Sequence, residues 1–167
     1  MKISSCISWG KLAMVVFLPS LIAVSCKKNN LDIVKKFVSE VKADNYFSEE
    51  LPDFNIRHID ALFEHAADEQ LVSRFPWPSY SSYYPGQKEV GLVMLYAIEE
   101  IRRPKSVPLR GVHIYNTDNP EQKVTLKDVL PLYQKWWAQN KGKSAVELQS
   151  IDPLEDSGFV WIGTVTE

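Results

Sequence analysis

The chain has 167 residues and a formal net charge of −2, with 45% hydrophobic and 24% charged residues. That length suits one domain, the composition is ordinary for a globular protein, and the acidic balance excludes a phosphate-backbone binder, which needs a basic face. Its two cysteines, Cys6 and Cys26, lie at the N-terminus, so the folded part holds neither an internal disulfide nor a thiolate zinc cluster.

Lys2 and Lys11 bracket a polar opening, and Leu12 to Val24 is a continuous apolar run. It is shorter than the roughly 20 residues that span a bilayer, and Pro19 weakens it further as a spanning helix. The pattern is that of a cleaved signal peptide over residues 1–25. LIAVSC, ending at Cys26, resembles a bacterial lipobox, with Ala23 where Leu is more common. Cys26 is the expected lipidation site and residues 26–29 a short lipidated tether. A secreted soluble protein with a free thiol at Cys26 is the alternative. Several acyl chains, at about 0.8 kcal/mol per buried CH₂, hold a protein firmly on a membrane, and Lys27 and Lys28 suit an anionic headgroup surface.

Asn30 is placed to cap a first helix reaching about Ala43, with Ile33, Val34, Phe37, Val38 and Val41 on its apolar face. Residues 44–53 are polar and turn-rich. A second helix, starting near Asn55, repeats apolar residues at Ile56, Ile59, Leu62, Phe63 and Ala66 and packs on the first. His58 and His65 lie two turns apart on it, about 10 Å along the axis, too far to share one metal without a third element. They read as surface histidines.

Leu71 to Gln87 is rich in proline, aromatics and serine, which predicts an ordered loop rather than a helix. Its rings read first as a lid over the core. Flat rings also stack on sugar faces, so Trp77, Tyr80, Tyr83 and Tyr84, in the loop 75–84, are the candidate ligand- or glycan-binding residues.

The segment Val90 to Arg103 is the expected centre of the fold. Val90, Val93, Met94, Ala97, Ile98 and Ile101 recur at helical spacing, with Leu92, Leu95 and Tyr96 on the flanks. Arg102 and Arg103 sit at the negative end of the helix dipole, and Pro104 closes the helix. Glu99, at i,i+3 and i,i+4 from these arginines, forms with them a structural charge cluster.

Arg110 to Tyr115 reads as a short strand or extended arm without an evident partner, and residues 117–120 as a turn. Thr125 and Asp128 make a capping box that opens a helix carrying Leu126, Leu130, Tyr133 and Trp137 on one face, with Val129, Leu132 and Trp136 beside them. Pro131 implies a kink, or a start nearer Leu130. Trp136 and Trp137 are about 100° apart on a helix, so at least one belongs to the core. Ser144 and Glu147 form a second capping box. Asp152, Pro153 and Glu155 repeat the device, and Phe159 and Trp161 fold back as apolar plugs. These readings describe an all-α, mostly helical domain over residues 30–163, with five to six helices, long ordered loops and at most a minor strand pair.

Four fragments, FPWPSYSSYYPG, VGLVMLYAIEEIR, LYQKWWAQNKGKS and IDPLEDSGFVW, all between residues 31 and 161, resemble a group of small Bacteroides lipoproteins known only as a domain of unknown function. The resemblance implies a Gram-negative envelope lipoprotein of a gut anaerobe with a helical domain. It carries no activity and no catalytic residues. In such bacteria acidic residues after the lipidated cysteine accompany export to the surface. Lys27 and Lys28 stand there instead, which implies a periplasm-facing position, with the cell surface as the alternative.

No GxSxG, GxGxxG, P-loop, EF-hand or HExxH pattern occurs. No catalytic residue, metal or cofactor is expected. The expected function is that of a membrane-anchored cell-envelope lipoprotein, a non-enzymatic interaction or scaffold module with an envelope protein or glycan as partner and no nucleic acid. The alternative is a ligand- or glycan-binding lipoprotein that uses the aromatic loop; an enzyme comes third.

Overall fold

The computed structural model describes residues 32–78, 86–104, 106 and 108–163. Among them the chain is mostly helical. Helix α1 covers residues 32–42. A 3-10 turn at Ile56–His58 leads into α2 at Ile59–Phe63, and β1 at Leu71–Val72 follows. Then come β2 (Lys88–Glu89), α3 (Val90–Arg102), β3 (Ile114–Asn116), α4 (Leu126–Asn140), α5 (Ala145–Gln149) and β4 (Phe159–Trp161).

Helix α3 is the axle. Every residue from Val90 to Glu99 is buried, and α3 packs against α2, α4 and α5. A helix apolar around most of its circumference is stable only when neighbours cover all sides. Its first turn is tied in by backbone: Val90 N donates to Gln70 O and Gly91 N to Asp68 O, which satisfies amides that a helix start leaves unpaired. Gly91 is required there, since a Cβ would lie 2.3 Å from Ala66 O and 2.6 Å from Leu126 Cδ2. At the other end Arg103 turns extended before Pro104.

Helix α1 buries Val34, Phe37, Val38 and Val41, the i, i+3, i+4, i+7 stripe. Ile33 is a correction: it is 40% exposed, outside that stripe. Asn55 caps the 3-10 turn through Arg57 N, and His58 Nδ1 accepts from Asn55 N at 2.9 Å. That reciprocal box turns His58 inward, where it is 1% exposed, against the surface position its helical spacing predicts. Helix α4 starts at Leu126 with the Thr125–Asp128 capping box in place. Pro131 stands exposed inside the helix. The buried side of α4 is Leu126, Val129, Tyr133 and Trp136, while Leu130 and Trp137 are only half-buried. The Trp137 indole instead stacks on Phe63 and donates to Asp60.

Two small antiparallel sheets modify the all-α expectation. Strand β1 pairs with β2, Leu71 opposite Glu89, and so closes the base of the aromatic loop. Strand β3 pairs with β4, Ile114 opposite Trp161. The arm at residues 110–115 therefore has a partner, and Phe159–Trp161 is a strand whose Trp161 is buried in the core and whose Phe159 packs against it. Asp152 closes a turn through Leu154 N instead of starting a helix, and the chain leaves that turn at Asp156 with φ +59°.

Candidate functional site: an acidic cleft beside a buried ion network

The charge cluster of α3 lies inside the protein. Glu99 is 1% and Arg102 4% exposed. Arg102 Nε donates to Glu99 Oε2 at 3.1 Å, and Arg102 Nη2 pairs with Glu99 Oε1. Tyr133 Oη, from α4, donates to Glu99 Oε2 at 2.8 Å and accepts from Trp161 Nε1 of β4 at 2.8 Å. Arg102 Nη1 reaches the carbonyls of Gln149 and Ile151 at 3.3 and 3.4 Å. Arg103 Nη1 stands 3.6 Å from Glu99 Oε1. Burial works to lower the Arg102 pKa, but the hydrogen bonds and charge of Glu99 outweigh it and leave it raised. Burial, with the nearby Glu99 charge, pushes the Tyr133 hydroxyl far up, so it serves as a neutral donor. The network ties α3, α4, the chain after α5 and β4 together, and its members face one another.

The next residue faces elsewhere. Glu100 lines an open cleft of about 820 Å³ whose floor is Tyr96, Ala97 and Ile101 of α3. One wall is residues 49–54; Pro78, Pro108 and Leu109 complete the lining. The 49–54 wall is held from behind by rings: Phe54 and Tyr46 both meet Phe37 of α1 edge-on, at 5.3 and 5.1 Å between centroids. Tyr46 Oη also donates to Glu50 O at 2.5 Å. The Pro108–Leu109 wall is pinned by Leu109 N, which donates to Glu100 Oε1 at 2.7 Å. Burial raises the Glu100 pKa; the Leu109 N–H and the nearby Arg103 charge act against it.

Glu49, Glu50 and Asp53 are exposed along the rim, and among the described residues that line the cleft none is a lysine, arginine or histidine. The cleft thus gathers carboxyl groups around an apolar floor. Such an arrangement attracts and orients cations.

Other expected site residues fall as follows. Trp77 is half-buried, edge-on to Phe75 with ring centroids 6.2 Å apart. Its benzo ring fills the space a Cβ at Gly111 would need, with Cζ3 2.5 Å away. Tyr80, Tyr83, Tyr84 and Cys26 lie outside the described residues. His58 does not line the cleft; its ring Nε2 is buried without a hydrogen-bond partner among the described residues. No group of three or more potential metal-ligating side chains occurs among the described residues, and no helix there is long and apolar enough to cross a membrane. The sequence reading missed the cleft altogether. The acidic triplet Glu49, Glu50 and Asp53 was its only sequence trace, within a stretch that reads as an ordinary polar turn.

Fold and site define a small, mostly helical domain built on a buried arginine–glutamate network, with an open acidic cleft alongside. The chain belongs to the family described as a domain of unknown function (DUF4943), whose pattern matches residues 27–162. No curated protein and no solved structure matches it.

Proposed function

We propose that this protein is a cell-envelope lipoprotein, anchored through an acylated Cys26 and facing the periplasm, whose domain acts as a non-enzymatic interaction module with the cleft as its contact surface. The observation that carries the binding half is the cleft of about 820 Å³ with its one-sided chemistry. Its size lies in the range of recognition sites. The anchoring half rests on the LIAVSC pattern around Cys26.

Two measurements test the halves separately. Labelled fatty acid should enter the wild-type protein and not Cys26→Ala; equal labelling of both removes the anchor. A photo-crosslinking residue placed at Asp53 should capture one fixed envelope partner, while the same residue at Lys36, exposed on α1, captures none. Turnover of a cell-wall or glycan substrate by the purified protein, with no crosslinked partner, would overturn the interaction reading.

A further inference from the structure

We infer that the occupant of the cleft is an extended basic segment of a partner protein, which sets lysine or arginine side chains against Glu49, Glu50, Asp53 and Glu100 and apolar side chains on the floor of α3. This rests on the reading of the cleft as the contact surface and names what that surface takes.

Carboxylates only accept, and prolines have no N–H to give. Among the described residues the lining holds four carboxyl groups and the three prolines Pro52, Pro78 and Pro108. Several of the remaining N–H donors are already engaged: Phe54 N donates to Pro52 O, Glu50 N to Ser48 Oγ and Leu109 N to Glu100 Oε1. The floor residues belong to α3, whose amides are used within the helix, and among the described lining residues Tyr96 alone carries a side-chain donor, its hydroxyl. A ligand that fits must therefore bring both positive charge and donors, and a basic polypeptide in extended form brings both, one N–H per residue besides its side chains.

The number of charges favours a polypeptide over a single small cation. Glu100 is half-buried on α3, whereas Glu49, Glu50 and Asp53 are exposed on the 49–54 stretch. One ammonium or guanidinium at Glu100 leaves the rim carboxylates unmatched. Several basic side chains spaced along a backbone match both. The apolar surface of Leu51, Phe54 and Ile101 between them suits intervening aliphatic side chains.

The test uses the purified full chain in detergent and an acetylated, amidated octapeptide alternating Lys and Leu. Binding is followed by anisotropy and by amide shifts of Asp53, Phe54, Glu100 and Leu109. The Lys peptide should bind and move those amides, and a peptide with Gln in place of Lys should bind about tenfold more weakly or worse. The triple variant E49Q/E50Q/D53N should weaken the Lys peptide about tenfold, while E64Q/E121Q/E155Q, the same charge change at exposed sites off the cleft, should not. Glu100→Gln retains an acceptor for Leu109 N and should weaken binding further.

Equal binding of Lys and Gln peptides at the cleft overturns the basic occupant and leaves the cleft reading standing. Spermidine that binds there as tightly as the Lys peptide assigns the site to a small polyamine and overturns the polypeptide. No movement of the cleft amides with any probe, together with an Asp53 crosslink that captures nothing, sinks this inference and the reading beneath it.

Discussion

Glu99 and Glu100 are consecutive on α3, about 100° apart around the helix, and their surroundings differ completely. Glu99 is sealed in the core, and its oxygens are met by Arg102 and by the Tyr133 hydroxyl. Glu100 accepts one backbone N–H, lies near the Arg103 charge and borders an open cleft with three exposed carboxylates. The first is a fastening: a buried charge is tolerable only when partners replace the water it loses. The second is a charge left for something else to meet. Acidic residues of the same type, one residue apart, are thus sorted into structure and candidate function by the partners the fold brings them.

The sharpest way to break this contrast is to remove the fastening. Glu99→Ala takes from buried Arg102 its paired carboxylate, leaving the Gln149 and Ile151 carbonyls and Asp152 Oδ1 at 3.8 Å, and should cost about 3 kcal/mol in urea denaturation. A loss below about 1 kcal/mol would mean that the remaining carbonyls and Asp152 suffice for Arg102. Tyr133→Phe strands Trp161 Nε1 and takes one donor from Glu99, for an expected loss of about 1–3 kcal/mol; if Trp161 quenching and stability both stay unchanged, the network ends at Glu99. Gly111→Ala drives a Cβ into the Trp77 ring at a glycine with φ +149°. It should cost about 1–3 kcal/mol, and an unchanged melting temperature would show that Trp77 is free to swing away.

The smallest effect is the most diagnostic. Because the folded protein holds the Glu100 carboxyl above its ordinary value of 4.5, it binds that proton more tightly than the unfolded chain does. The contribution of this group is therefore most favourable below pH 4.5 and is lost as the pH rises through the folded pKa. Glu100→Gln should gain stability over wild type at pH 7, by less than about 1 kcal/mol given partial solvent screening, and none at pH 4. The same difference at both pH values would show that Glu100 titrates as in the unfolded chain.

Several of these features were legible in the residues. The apolar spacing of α3, the stripe Val34, Phe37, Val38, Val41, and the Thr125–Asp128 and Ser144–Glu147 boxes depend on neighbours within one or two turns. The Glu99–Arg102 pairing follows from i,i+3 spacing alone. Its third and fourth members did not, because Tyr133 and Trp161 arrive from distant elements. The strand pairs were hidden for a related reason. Two or three residues are too few for a period-2 pattern, and Leu71 meets Glu89, and Ile114 meets Trp161, only once the intervening chain has folded. His58 misled because its ring closes the Asn55 cap and therefore turns inward.

The amino-acid order by itself determined the helical character, the central place of Val90–Arg102, the end of that helix at Pro104 and the self-pairing of its charges, since backbone hydrogen bonding within a helix makes all of these local. Tertiary structure alone decided that Glu99 would be locked away and Glu100 left at an open cleft. Among the described residues the cleft is lined by 49–54, 78, 96, 97, 100, 101, 108 and 109, and only tertiary packing brings stretches so far apart in the chain around one space.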